Sequence, residues 1–490
     1  MKATIIQQDC PLNAGISPVH ITNFINELEE KHVPIHSLLI ARYNKLILEA
    51  YWQPFHKDML HRMFSITKSF TSIAIGILID DNVISINDPI VKYFPEYIPE
   101  NPHEFLTKMT IENMLTMQTC HASTTYKTNL LNNWVESFFV TAPSHPAGTI
   151  FKYDTSATHT LCALVEKLTG MNLLDFLRLR CLDEIGFSKE AYIIKDPFET
   201  SMGGSGLMAK PTDILKFALL LMNNGYFGDK QLIPAKYILE ATKKQTDTAA
   251  TASIFEESLG YGYQIWRASH NAYVLYGMGG QYAICFPDYE LICTTTADTQ
   301  GISGSNQYIF DALYKNLITP LSNISNDDIT NNYSTCINHD LNLTSLIKKL
   351  RVPALTPCNV NVNIIETICK SINNRIYYLK PNLSGFDTIS LIFNIEQNSG
   401  SFNYERFNQK YSIPFGINFN VYGIYEEYNQ SCISSVSWVS SNVLHLKSLI
   451  IDESLGSLYF SFTFYNDNVS IFIKKTNETL FEGFNGFLYS

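Results

Sequence analysis

The chain of 490 residues carries 35 Lys+Arg against 46 Asp+Glu, a formal charge of −11, with 46% hydrophobic and 13% aromatic residues. At ~100–200 residues per domain this length accommodates about two to four domains, each able to bury a core without disulfide staples. An acidic balance with no block of Lys/Arg excludes the electrostatic footprint of a nucleic-acid or anionic-membrane binder.

Residues 1–10 hold no apolar h-region and no small-residue cleavage site, which predicts a cytoplasmic protein. From 64 to 78, Ile66, Phe70, Ile73 and Ile77 recur at helical spacing. The apolar run there, 73–79, is far shorter than the ~20 residues that span a bilayer, and it reads as a core helix. Residues 160–168 and 214–222 predict further helices, and 271–283 with 291–296 predict strands around a Gly-rich turn. This half is α/β or α+β.

Between 320 and 334 the chain turns polar, Asn-rich and aperiodic. A boundary there gives a first domain at 1–320, a linker at 321–335 and a second domain at 336–490. In the second domain Ile389, Leu391, Phe393 and Ile395 alternate with polar residues, as do Leu458, Phe460, Phe462 and Phe464 before the turn Asn466-Asp467-Asn468. Period two with one apolar face predicts half-buried, mostly antiparallel strands. The 10 cysteines include no Cys-x-x-Cys and no neighbouring His at zinc spacing, so reduced thiols are expected rather than disulfides or a metal site.

Ser65-Ile66-Thr67-Lys68 puts a hydroxyl and an ammonium about one helical turn apart on one face. A serine needs a partner to take its proton, and a lysine does so when burial lowers its pKa. The helix N-terminus adds N–H donors where an oxyanion would form. Ser345-Leu346-Ile347-Lys348 has the same spacing but stands beside Lys349 and Arg351 with no later partner motif, so it is expected to be structural. His121, His145, His159 and His270 lack the neighbours of a triad or metal site. The pairs Asp80-Asp81, Glu256-Glu257 and Glu426-Glu427 read as solvated faces or turns.

Downstream of Ser65-x-x-Lys68 come Pro146-Ala147-Gly148-Thr149-Ile150-Phe151-Lys152-Tyr153-Asp154-Thr155 and a helix closing on Thr169-Gly170. Then follow Gly203-Gly204-Ser205-Gly206-Leu207, Gly260-Tyr261-Gly262-Tyr263-Gln264-Ile265-Trp266 and Tyr276-Gly277-Met278-Gly279-Gly280-Gln281-Tyr282. As an ordered set covering about 15–320, these resemble the serine β-lactamase and penicillin-binding-protein superfamily, in its class C and esterase-like branch. The resemblance implies an antiparallel sheet with flanking helices plus a helical subdomain, and a serine hydrolase without cofactor or metal. It implies Ser65 as nucleophile, Lys68 and Tyr153 as the proton-transfer pair, and the Met278 N–H as second oxyanion donor beside that of Ser65. It further implies that Gly277 lets the strand approach the substrate, with Thr155, Tyr276 and Gln281 at the binding site.

Two departures stand out. Where the family often has Lys-Thr-Gly or His-x-Gly, this chain reads Leu275-Tyr276-Gly277 without a cation, and its second motif ends in Thr155 rather than Asn or Ser. The lost cation favours ester or amide substrates over carboxylated β-lactams, and the wall of Tyr276, Tyr282 and Trp266 suggests a neutral acyl or peptide-like compound. A D-amino-acid peptidase or β-lactamase is the alternative enzyme, and a non-catalytic binding or sensing module the alternative of another class. Lys68, drawn into an apolar helix, is expected to have a lowered pKa, and Tyr153 beside that ammonium a lowered one too. The second domain resembles lipocalin-like or small-barrel tails that cover the active-site mouth or mediate a homodimer; the sequence does not choose between these.

Overall fold

The computed structural model describes residues 6–128, 132–323, 333–357, 362–476, 484 and 486–490; most of the expected linker, 324–332, lies outside them. The chain forms two compact units, Met1–Leu350 and Arg351–Ser490. They meet further along the chain than the composition change, and the helix Tyr333–Ile347 packs with Pro18–Glu30 in the first unit. Among the described residues no helix is long and apolar enough to cross a membrane.

The first unit is built on a six-stranded sheet ordered Lys45–Tyr51, Ile35–Arg42, Leu291–Ala297, Gln281–Phe286, Tyr273–Gly277 and Trp266–Arg267. Every neighbouring pair is antiparallel. Its central strands are buried along their whole length, so they read as apolar runs rather than alternating ones. The helix Pro211–Met222 lies against three of these strands, while Pro18–Glu30 packs with Ser305–Leu313.

The helix Thr67–Asp80 is buried on all sides from Thr67 to Leu78: the stretch 73–78 is apolar all round, and the polar side chains of the first turns are hydrogen-bonded. It packs against Thr155–Thr169. That second helix starts at an Asp154 cap, which accepts from the Ser156 N–H at 2.9 Å, and ends at Gly170 in the left-handed conformation (φ +68°). These two helix starts, whose Lys68 and Thr155 lie 87 residues apart in sequence, are the scaffold of the site.

Among the described residues of the second unit, ten strands form one sheet from Tyr377–Tyr378 to Gly486–Tyr489. All joins are antiparallel except a short parallel one, where Gly416 and Ile417 pair with Ser435 and Val436. Val421–Tyr425 takes the other part of that edge in a hairpin with Gln430–Trp438. Ile389, Leu391 and Phe393 bury with Leu458, Phe460, Phe462 and Phe464 in a single core, the face that the period-two pattern marks.

Candidate active site

Ser65 sits in a single 3-10 turn, Phe64–Ile66, that feeds the buried helix. Phe64 before it has φ +44°, a left-handed conformation that costs a bulky residue about 1–3 kcal/mol and persists only where the surroundings over-determine it. Here they do. The Thr67 hydroxyl donates to the Phe64 carbonyl at 2.6 Å and accepts from the Leu207 N–H at 3.0 Å, while the Met63 N–H donates to the Leu207 carbonyl at 2.9 Å.

Lys68 is 1% exposed. Its Nζ donates to Ser65 Oγ at 3.0 Å, to the Gly204 carbonyl at 2.7 Å and to Thr155 Oγ1 at 3.3 Å. Those acceptors use the three donors of an ammonium. Gly204 must be glycine for this, because a Cβ there would meet Thr155 Cγ2 at 2.6 Å. Burial drives the Lys68 pKa down to about 7, opposed by the nearby Asp154 carboxyl and reinforced by Lys127. Asp154 is itself pushed up to about 6 by burial, against the hydrogen bonds from Ser156.

Tyr153 presents its ring face to Lys68, with Nζ 4.8 Å from the centroid, and stacks on Trp266 at 5.8 Å. Its hydroxyl is hydrogen-bonded with Ser65, yet its pKa rises. This reverses the expectation of a lowered value. Desolvation among aromatic rings outweighs the Ser65 hydrogen bond, and the charge of Glu257 raises the phenol further. The two partners are therefore pushed apart, with Lys68 toward a neutral amine and Tyr153 toward a protonated phenol.

The strand Tyr273–Gly277 closes the third side. A Cβ on Gly277 would stand 2.4 Å from the Met63 carbonyl oxygen, so only glycine lets this strand lie so close to the turn that carries Ser65. Met278 follows at the edge of a cavity of about 320 Å³ that Ser65, Tyr153, Trp266 and Tyr276 also line. Gln281 is fully buried, and its amide is engaged by backbone, donating to the Met278 and Ala297 carbonyls at 2.8 Å each and accepting from the Ala297 N–H at 2.9 Å. It braces the turn that carries Met278. Leu275 is fully buried in the core, and Tyr282 is fully buried behind Tyr276, with ring centroids 4.6 Å apart. The aromatic wall is thus Phe151, Tyr153, Trp266 and Tyr276, without Tyr282.

Sequence reasoning missed the segment that supplies the rest of the lining: Thr251, Ser253 and Glu257, with Asn306 from the helix Ser305–Leu313. Neither member of the Glu256-Glu257 pair behaves as a solvated face. Glu256 is buried and accepts from Ser269 N–H and Oγ at 2.7 and 2.9 Å and from the Tyr314 hydroxyl at 2.9 Å. Glu257 turns into the cavity and accepts from the Tyr276 hydroxyl at 2.6 Å. No local pattern marks this, because the hydroxyl partners Ser269, Tyr276 and Tyr314 lie 13 to 58 residues away. Ser345 and Lys348 of the second Ser-x-x-Lys copy are both exposed. His159 is buried and bonded to Asp196 at 3.0 Å.

Comparison with known proteins places the fold among hydrolases. The chain is 20% identical over 263 residues to a 6-aminohexanoate-dimer hydrolase of Paenarthrobacter ureafaciens, covering 50% of this chain and 67% of that protein. A Bacillus anthracis structure named for the same dimer hydrolase superposes with a TM-score of 0.53 at 20% identity, covering 61% of this chain and 82% of that one. EstCE1, a hydrolase with promiscuous acyltransferase activity, superposes at 0.50 with 13% identity, covering 60% and 98%. At such identities the superpositions establish the fold of the first unit alone. Residues 21–312 match the family model described as Beta-lactamase, a span of more than half the chain that contains both helix starts, the glycine-bearing strand and the cavity between them, and the protein accordingly belongs to the β-lactamase and penicillin-binding-protein-like serine-hydrolase superfamily.

Proposed function

We propose that the protein is a serine hydrolase that cleaves an ester or amide bond through an acyl-enzyme on Ser65. The observation that carries this reading is the buried Lys68 amine, 3.0 Å from the Ser65 hydroxyl with its pKa brought down to about 7. A base in that range is matched to proton transfer near neutral pH. Neutral Lys68 takes the Ser65 proton as the Oγ–carbon bond forms, and the carbonyl oxygen becomes an oxyanion held by the N–H groups of Ser65 and Met278. The phenol of Tyr153 passes the proton to the leaving alcohol or amine as its bond to carbon breaks. Water then attacks the acyl group by the same route in reverse, releasing the acid and restoring the Ser65 hydroxyl.

The relative named for 6-aminohexanoate-dimer hydrolysis supports including amides with esters. Carboxylated β-lactams fit less well. Leu275 is core rather than cation, and the Arg267 guanidinium is engaged by the Thr242 carbonyl and Asn271, each at 2.8 Å. A non-catalytic descendant would have no use for a deprotonatable lysine beside the serine.

We assign this chemistry to the first unit, Met1–Leu350, and read the second, Arg351–Ser490, as an accessory β domain of small-barrel type. A backbone hydrogen bond of 2.9 Å from Lys380 to the end strand at Tyr489, and one enclosed core, support the barrel reading. The deciding experiment is intact-mass detection of a fluorophosphonate adduct, mapped by peptide sequencing. The adduct is expected on Ser65, absent in Ser65→Ala and unaffected by Ser345→Ala. Labelling at Ser345, or undiminished labelling in Ser65→Ala, would end this reading.

A further inference from the structure

The cavity at Ser65 holds a carboxylate that the chemistry above does not use. Glu257 is half-buried there. One oxygen accepts from the Tyr276 hydroxyl at 2.6 Å and the other from the Ser253 N–H at 3.0 Å. An ionised carboxylate has about four acceptor sites, so these bonds fix the group and leave it able to accept more. Among the described residues no Lys or Arg forms an ion pair with it.

The rings of Phe151, Tyr153, Trp266 and Tyr276 line the same cavity, an aromatic surround that suits a cation. Asn306, donating to the Tyr276 hydroxyl at 3.1 Å, holds that ring in place. The other charged residue of the lining, Lys152, is exposed, where water and salt screen it. A fixed carboxylate set against aromatic faces attracts an ammonium and repels a carboxylate. The aromatic wall by itself suits a neutral substrate; Glu257, which the sequence reads as part of a solvated pair, adds a negative charge to that wall.

We propose that Glu257 is a specificity-determining residue that binds an ammonium group of the substrate, so that the compounds turned over are amine-bearing esters or amides. This rests on the reading of Ser65 as the nucleophile of a hydrolase, and the test separates the two. In the full-length Ser65→Ala protein, which turns over neither compound, calorimetric titration compares 6-aminohexanamide with its uncharged isostere heptanamide, so that binding in either direction along the cavity is read.

A charge-assisted contact to a partly buried carboxylate predicts about tenfold tighter binding of the ammonium compound. That preference is expected to shrink with added salt and to fall to near unity in Glu257→Gln. Equal affinity, no binding of either compound, or a preference that survives in Glu257→Gln would overturn the proposal. The first comparison leaves Glu257 intact, so a poorly folded variant cannot shelter it. An ammonium preference in a protein whose Ser65 takes no fluorophosphonate would instead sink the hydrolase reading alone. Normal labelling without the preference would sink the assignment of Glu257 alone.

Discussion

Lys68 makes the site sensitive to pH in two measurable ways. With its pKa near 7, kcat/KM for a p-nitrophenyl ester is expected to rise with pH through an ionisation of the free enzyme close to that value. A flat profile from pH 5 to 9 would show that another group is the base. Stability carries the same signature. Below pH 7 the folded and unfolded chains both hold the proton, and the fold bears the full cost of a buried charge. Between pH 7 and the ordinary lysine value of 10.5, only the unfolded chain holds it, so stability climbs with pH across that window. Lys68→Met is therefore expected to abolish labelling while raising Tm, most at pH 6 and less toward pH 10, by about 2–4 °C for each kcal/mol relieved. A Tm gain that does not depend on pH would contradict the lowered pKa. Tyr153→Phe removes one oxygen that bonds Ser65, and a group that moves protons contributes ~10²–10⁴-fold. A kcat loss in that range with unchanged folding is expected, and the Lys68→Ala, Tyr153→Phe double variant should lose little more than the worse single. Losses that multiply would mean two independent roles.

At the level of elements, the site is a close approach of four backbones: the Ser65 turn, the start of Thr155–Thr169, the turn at Gly204 and the strand Tyr273–Gly277. Glycine permits two of the contacts. Gly277→Ala would drive a methyl toward the Met63 carbonyl oxygen, 2.4 Å away, and must displace either the strand or the Ser65 turn. Because a displacement of ~1 Å costs as much as 10²-fold, the labelling rate is expected to fall by about that factor with far-UV circular dichroism retained. Near-normal labelling would mean that the strand edge plays no part in holding the oxyanion. In the β unit Phe462, fully buried between Phe402 and Phe464, is a packing residue only. Phe462→Ala is expected to cost about 3–5 kcal/mol in the denaturant unfolding of that unit, with the rate of Ser65 labelling unchanged.

At the scale of the whole molecule, every group of the proposed machinery lies in Met1–Leu350. A chain ending at Leu350 is expected to fold, judged by circular dichroism, and to label at Ser65 at the rate of the full chain; a folded but unreactive product would make the β unit part of the site. Much of this was legible beforehand. Helical periodicity marked the helices that begin near Ser65 and Thr155, period two marked the strands of the second unit, and the order of short motifs pointed to Ser65, Lys68 and Tyr153. These features are local, set by which face of a helix or strand is apolar and by residues within a few positions of one another. What tertiary structure decided was everything that depends on neighbours distant along the chain. Desolvation by the surrounding rings raised the Tyr153 phenol rather than lowering it, because the energy of a charge is set by what surrounds it in space. Strand alternation put Leu275 in the core on the face opposite Tyr276, while Tyr282, paired with Tyr276 on the same face, is covered by the Tyr276 and Phe310 rings and leaves Tyr276 at the cavity. Contacts with Ser253, Tyr276, Ser269 and Tyr314 turned an acidic pair that reads as solvated into one buried carboxyl and one aimed at the cavity beside Ser65. The hydroxyl partners Ser269, Tyr276 and Tyr314, 13 to 58 residues away along the chain, have no periodicity to betray them, and only the folded backbone brings them to the two carboxyls.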